Sequence, residues 1–169
     1  QPLVDTAVAA LDQPLSLLIN NASAFSYDSM ETNDRDSWDA HIEPNLRAPV
    51  VLSQAMAAQC PATGGCIINL IDQRVWNLTE HFLSYTVSKY ALWGLTRQMA
   101  LGLAARKIRV NGIGPGPTLP SPRQTQANFD EQVRETPLQI ATPLADICAA
   151  IDLILKAPSL TGQMIALDG

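Results

Sequence analysis

The sequence is short of several things at once: its 169 residues hold 3 cysteines, 2 histidines and only 11 lysines and arginines, against 16 aspartates and glutamates. Cys60, Cys66 and Cys148 are odd in number and show no Cys-x-x-Cys spacing. That argues against a disulfide framework or a zinc site and favours a reducing, cytoplasmic compartment. Cys66 stands in a hydrophobic run and reads as apolar filler. With only His41 and His81 available, a metal site would need carboxylates at spacings the sequence does not offer, so no metal is expected. A net charge of −5 leaves no basic stripe to neutralise phosphates, which disfavours nucleic acid and favours a small-molecule partner. No apolar run is long enough to span a bilayer, so no membrane partner is expected either.

What remains is a hydrophobic fraction of 47%, enough for one substantial core and one domain over residues 1–169. Residues 15–20, 66–71, 108–113 and 163–167 are too short for helices and rich in Ile, Leu and Val, which predicts four strands. Helical patterns fall at residues 4–11, 33–41, 45–59, about 83–105 and 143–156. Strands alternating with helices predict an α/β fold with a doubly wound parallel sheet, covered on both faces. The proline-rich stretch 115–137 predicts a long loop with one short helix. Residues 1–11 read like the inside of a helix and lack an initiator Met, so upstream sequence is expected.

In such sheets ligands bind beyond the carboxyl ends of the strands. Those ends carry Asn20-Asn21-Ala22, Asp72-Gln73, Gly114-Pro115-Gly116 and Asp168-Gly169. Each is equally compatible with an ordinary turn. Tyr85 and Lys89 lie four apart in the longest helical pattern and so share one face of it. A phenol and an ammonium placed together can do acid–base work, since deprotonating a free Tyr at neutral pH requires roughly 4 kcal/mol of help from nearby positive charge. By itself the spacing says little, because chance yields on the order of 0.3 such pairs in a chain of this length.

In combination the motifs say more. Asn20-Asn21-Ala22 after a strand, Tyr85-x-x-x-Lys89 in a helix, and Arg109-Val110-Asn111-Gly112-Ile113 running into Pro115-Gly116 resemble, in order, the short-chain dehydrogenase/reductase family. The resemblance covers essentially the whole chain. It implies a Rossmann-like sheet lacking its first three strands, together with the glycine-rich turn that cradles the cofactor pyrophosphate. It also implies roles. Tyr85 is the proton donor or acceptor, and Lys89 lowers its pKa and holds the nicotinamide ribose. Asn45 opens a helix and holds a water in the proton relay, Asn20 and Ala22 line the cofactor cleft, and Pro115, Gly116 and Thr118 lie beside the nicotinamide.

The family serine expected some thirteen residues before the Tyr is Asp72 here. This substitution, with Ile67-Ile68-Asn69-Leu70-Ile71 before it, is similar to the pteridine reductases and dihydromonapterin or dihydrofolate reductases of the family. A carboxyl can deliver a proton to a ring nitrogen, whereas a serine hydroxyl suits a carbonyl oxygen. An ionised Asp72 would also raise the Tyr85 pKa and favour phenol over phenolate. The leading expectation is therefore NADPH-dependent reduction of a C=N bond in a pterin-like heterocycle, by a homo-oligomer. Alternatives are a carbonyl or alcohol oxidoreductase, and a scaffold without turnover. Asp72 merely capping the strand end or pairing with Arg74 is a further reading. Trp76 could stack on a flat ring or simply pack. Specificity is expected to lie in the loop over residues 119–138.

Overall fold

In the computed structural model, which describes residues 2–121 and 124–169, four parallel strands form one sheet in the order β1-β2-β3-β4. They are β1 (Leu17–Asn20), β2 (Gly65–Leu70), β3 (Ile108–Pro115) and β4 (Met164–Leu167). All four expected strands are present and parallel. Asn20 pairs with Asn69, and Asn69 in turn with Gly112, so the carboxyl ends of β1, β2 and β3 open on one edge. Gly112 lets the Ile71 side chain pack directly on the β3 backbone, its Cδ1 lying where a Cβ would stand.

The helices are α1 (Pro2–Leu11), α2 (Arg35–Ile42), α3 (Ala48–Gln59), α4 (Leu83–Leu103), α5 (Gln126–Arg134) and α6 (Leu144–Lys156). Alternation along the strands divides the core between two faces. Ile67, Ile108 and Val110 pack with Met56 of α3 and Ala100 of α4. Cys66, Ile68 and Ile113 pack with Ala150 and Ile154 of α6 on the other face. Cys66 is thus the apolar filler the sequence suggested. The one short helix expected in the proline-rich stretch is α5. Pro122 and Arg123, part of the expected specificity loop, lie outside the described residues.

One boundary differs from expectation. Asn45 does not open a helix, because Glu43–Arg47 form a π-helical turn that joins α2 directly to α3. Two prolines explain it. Pro44 and Pro49 lack the N–H groups that would close on the carbonyls four residues earlier, and Pro49 thereby denies the Asn45 carbonyl its α-helical donor.

The Arg109-to-Gly112 motif proves to hold the sheet together. Arg109 Nη1 and Asn111 Nδ2 both donate to the Leu160 carbonyl, while Asn111 Oδ1 accepts the Gln163 N–H, fixing the turn that leads into β4.

Candidate active site

Asp72 immediately follows β2 and its neighbour Ile71, and α4 lays Tyr85 and Lys89 over the same strand ends. The Tyr85 hydroxyl donates to Asp72 Oδ2 at 2.6 Å, a short bond of the kind formed to an ionised acceptor. The other carboxylate oxygen, Oδ1, accepts the Arg74 N–H at 2.8 Å and caps the turn Gln73–Val75. Capping and partnership with Tyr85 therefore coexist in one carboxyl.

Burial pushes the Tyr85 phenol well above its ordinary range, and the Asp72 charge and hydrogen bond push it further the same way. The nearby Arg74 charge opposes them. Lys89 Nζ lies 5.8 Å from the Tyr85 ring centroid and donates to the Leu70 carbonyl at 2.8 Å. Burial lowers its own pKa from 10.5 to about 8, partly offset by the Asp72 charge.

Asn45 is fully buried and its side chain is spent on protein partners. Oδ1 accepts from the Ala24 N–H and Ser23 Oγ, and Nδ2 donates to the Ala24 carbonyl and to Ser88 Oγ. It ties the loop after β1 to α4. Its main-chain carbonyl has no α-helical donor at Pro49.

Among the residues expected at the cofactor, Asn20 is buried and donates through Nδ2 to Asn69 Oδ1. Its own Oδ1 is buried without a partner among the described residues. Ala22 is exposed just beyond β1. Pro115 ends β3, Gly116 donates to the Leu167 carbonyl, and Thr118 Oγ1 donates to the Gly116 carbonyl, so this segment is pinned to β4. A Cβ at Gly116 would come within 2.9 Å of Asp168 Cα; the glycine is required by β4 itself.

Several neighbours of Tyr85 escaped the sequence reading. Phe25, 42% exposed, meets the Tyr85 ring edge-on at 4.7 Å and stacks on Phe82 at 4.5 Å. Behind Tyr85 lies a buried polar network. Ser84 Oγ donates to Asp28 Oδ2 at 2.5 Å and meets His41 Nδ1 at 2.7 Å, while the Ser26 N–H donates to His41 Nε2. Because Nε2 accepts, the ring proton sits on Nδ1, shared between Ser84 Oγ and the Ser37 carbonyl. Burial works against ionisation of Asp28, but hydrogen bonds from Ser84 and Asn33 outweigh it and hold the carboxyl below its usual range. Ser84 thus serves Asp28 and His41, not the Tyr85–Asp72 pair. Trp76 is 54% exposed, which does not support a packing role.

The whole chain, residues 1–169, matches the family model described as enoyl-(acyl carrier protein) reductase. Dehydrogenase/reductase SDR family member 4 of Homo sapiens is 33% identical over 116 residues, covering 68% of this chain and 41% of that protein. The 2-dehydro-3-deoxy-D-gluconate 5-dehydrogenase of Escherichia coli is 32% identical over 178 aligned residues, covering 99% and 69% respectively. Among solved structures, the FolM alternative dihydrofolate reductase 1 of Brucella canis, complexed with NADP, is 46% identical with a TM-score of 0.93. That match covers 98% of this chain and 66% of the Brucella chain. The chain thus spans about two fifths of the first of these relatives and about two thirds of the solved reductase.

Proposed function

Since the chain belongs to the short-chain dehydrogenase/reductase family, we propose that the protein reduces a C=N bond of a pterin-like heterocycle with NADPH. The observation that carries this reading is the Tyr85–Asp72 hydrogen bond, which places a carboxyl where a carbonyl reductase of the family would present a serine hydroxyl. The Brucella reductase, bound to NADP and similar along nearly all of this chain, supports the same reading and the choice of cofactor.

The residues present fit a nicotinamide nucleotide. Lys89 Nζ spends one donor on Leu70 and keeps two, and Asn20 Oδ1 is a buried acceptor with no partner among the described residues. These two, with the backbone at Ala22 and from Pro115 to Thr118, would hold the nicotinamide end. Bound there, the cofactor supplies the hydride. Tyr85 holds a phenolic proton at neutral pH and is its donor. Asp72 orients that phenol and shares the proton, so the pair presents one shared proton to a ring nitrogen. The Asn45 carbonyl holds a water that restores the proton, and Phe25 offers a flat apolar wall beside Tyr85 for an aromatic substrate.

A carbonyl or alcohol substrate is the second reading, favoured by L-xylulose reductase of Bos taurus, 32% identical over 168 residues. The full-length protein with NADPH separates them. Turnover of dihydropterins supports the proposal, and turnover confined to simple ketones overturns it. We read the protein further as a cytoplasmic homo-oligomer. Three free cysteines support the compartment, and Val87, Tyr90 and Leu101 exposed along α4 support pairing of that helix. No helix among the described residues is long and apolar enough to cross a membrane.

A further inference from the structure

Arg74 follows Asp72 on the Gln73–Val75 turn, and its position is fixed from both ends. Its N–H is held by Asp72 Oδ1, and its guanidinium donates to Thr79 Oγ1 at 2.8 Å while lying over the Phe82 ring, 5.2 Å from the centroid. The Phe25 ring also stacks on Phe82, 4.5 Å away and nearly parallel to it, and Phe25 in turn meets Tyr85. Guanidinium, two phenyl rings and the Tyr85 phenol thus form one ladder of successive ring contacts. Phe82 adopts a left-handed backbone, with φ of 59°, which is costly for a bulky residue and is retained mainly where a site needs it. Here it sets the ring between Phe25 and Arg74.

In a chain with a net charge of −5, this cation is conspicuous. Among the described residues no carboxylate forms an ion pair with it. A stacked guanidinium is weakly hydrated and offers a rigid fork of donors that matches a carboxylate. With one N–H on Thr79, most of that fork remains to bind.

We propose that Arg74 recognises a carboxylate on the tail of the substrate, so that the preferred substrate is a folate-type reduced pterin carrying an anionic side chain, not a pterin with a neutral one. This deepens the pterin reading of the same site and rests on it. The heterocycle lies against Phe25 and Tyr85, and the tail leaves along the ladder towards the guanidinium.

The test compares kcat/KM for dihydrofolate with kcat/KM for a dihydropterin bearing a neutral side chain, in the full-length protein with NADPH. Arg74→Met should lower the ratio of the two about tenfold or more, the scale of one lost charge-assisted hydrogen bond, with the change in the KM for dihydrofolate. Arg74→Lys should retain part of the preference as a point charge. Added salt should raise the wild-type KM for dihydrofolate more than that for the neutral substrate. A ratio unchanged in Arg74→Met, in a protein that turns over both substrates, overturns the assignment. A wild type that reduces neither overturns the pterin reading itself, and the assignment with it.

Discussion

At the scale of single residues, one proton is held between Tyr85 and Asp72 across 2.6 Å, in a place where burial already disfavours phenolate. Tyr85→Phe removes the donor and leaves the nucleotide contacts in place. Steady-state kinetics should show kcat reduced by about 10² to 10⁴-fold with cofactor affinity nearly unchanged; retention of more than about a tenth of kcat would rule out the acid role. Lys89 is a buried cation whose pKa has fallen from 10.5 to about 8, which disfavours its charged form by roughly 3 kcal/mol. The unfolded chain binds this proton more tightly than the folded one. Stability should therefore rise as pH is raised from about 8 towards 10.5, and Lys89→Met should flatten that rise in urea titrations while abolishing turnover. In the wild type, kcat/KM should fall on the alkaline side near pH 8 as Lys89 loses its charge, and Lys89→Arg should remove that limb even where activity is reduced.

At the scale of elements, α4 carries both Tyr85 and Lys89, yet its N-cap residue Phe82 provides no side-chain cap. Asp28, from the loop after β1, does so instead. Its carboxylate accepts from the Ser84 N–H and Oγ, and its carbonyl accepts the Leu83 N–H. A negative charge at the helix N-terminus is favourable, and here it also anchors the loop that bears Phe25. Asp28→Ala should cost about 2–4 kcal/mol in denaturant unfolding, by loss of the cap and of partners for Ser84 and Asn33. Because the folded Asp28 pKa is depressed, its contribution is present above the unfolded value and lost as pH falls through the folded one. Acid unfolding of Asp28→Asn should accordingly be less steep below about pH 4.

Local periodicity made the strands, α4 and its Tyr85–Lys89 face readable, and a fixed offset from Tyr85 identified Asp72. The Asp28–Ser84–His41 network was not readable, since its members are 56 and 43 positions apart and no local pattern joins them. The π turn lay between the two. Its prolines are visible, but a helix running continuously past them is a matter of packing, and the sequence reading started the helix at Asn45.

At the scale of the whole molecule, β1 is an edge strand whose Leu17 and Ile19 are exposed beside an apolar groove of about 350 Å³, lined by Val4, Leu18, Pro49 and Leu52 among others. Such an edge invites pairing with another chain. Expressed alone, these 169 residues should self-associate in light scattering and show no micromolar NADPH binding by calorimetry; a monodisperse chain that binds NADPH at micromolar concentration would refute this. The central claim, that the Asp72–Tyr85 pair makes this scaffold a reductase of ring C=N bonds, meets its most direct test in the pH–rate profile of dihydropterin reduction by the full-length protein and its Asp72→Asn variant. The account predicts a loss of at least about 10²-fold in kcat/KM, because the amide keeps the shape but cannot take up and pass on the proton that the carboxylate shares with Tyr85. It also predicts a change in the limb belonging to the coupled pair, as Tyr85 loses the carboxylate that raises its pKa. Wild-type rates in Asp72→Asn from about pH 5 to 8 would contradict it.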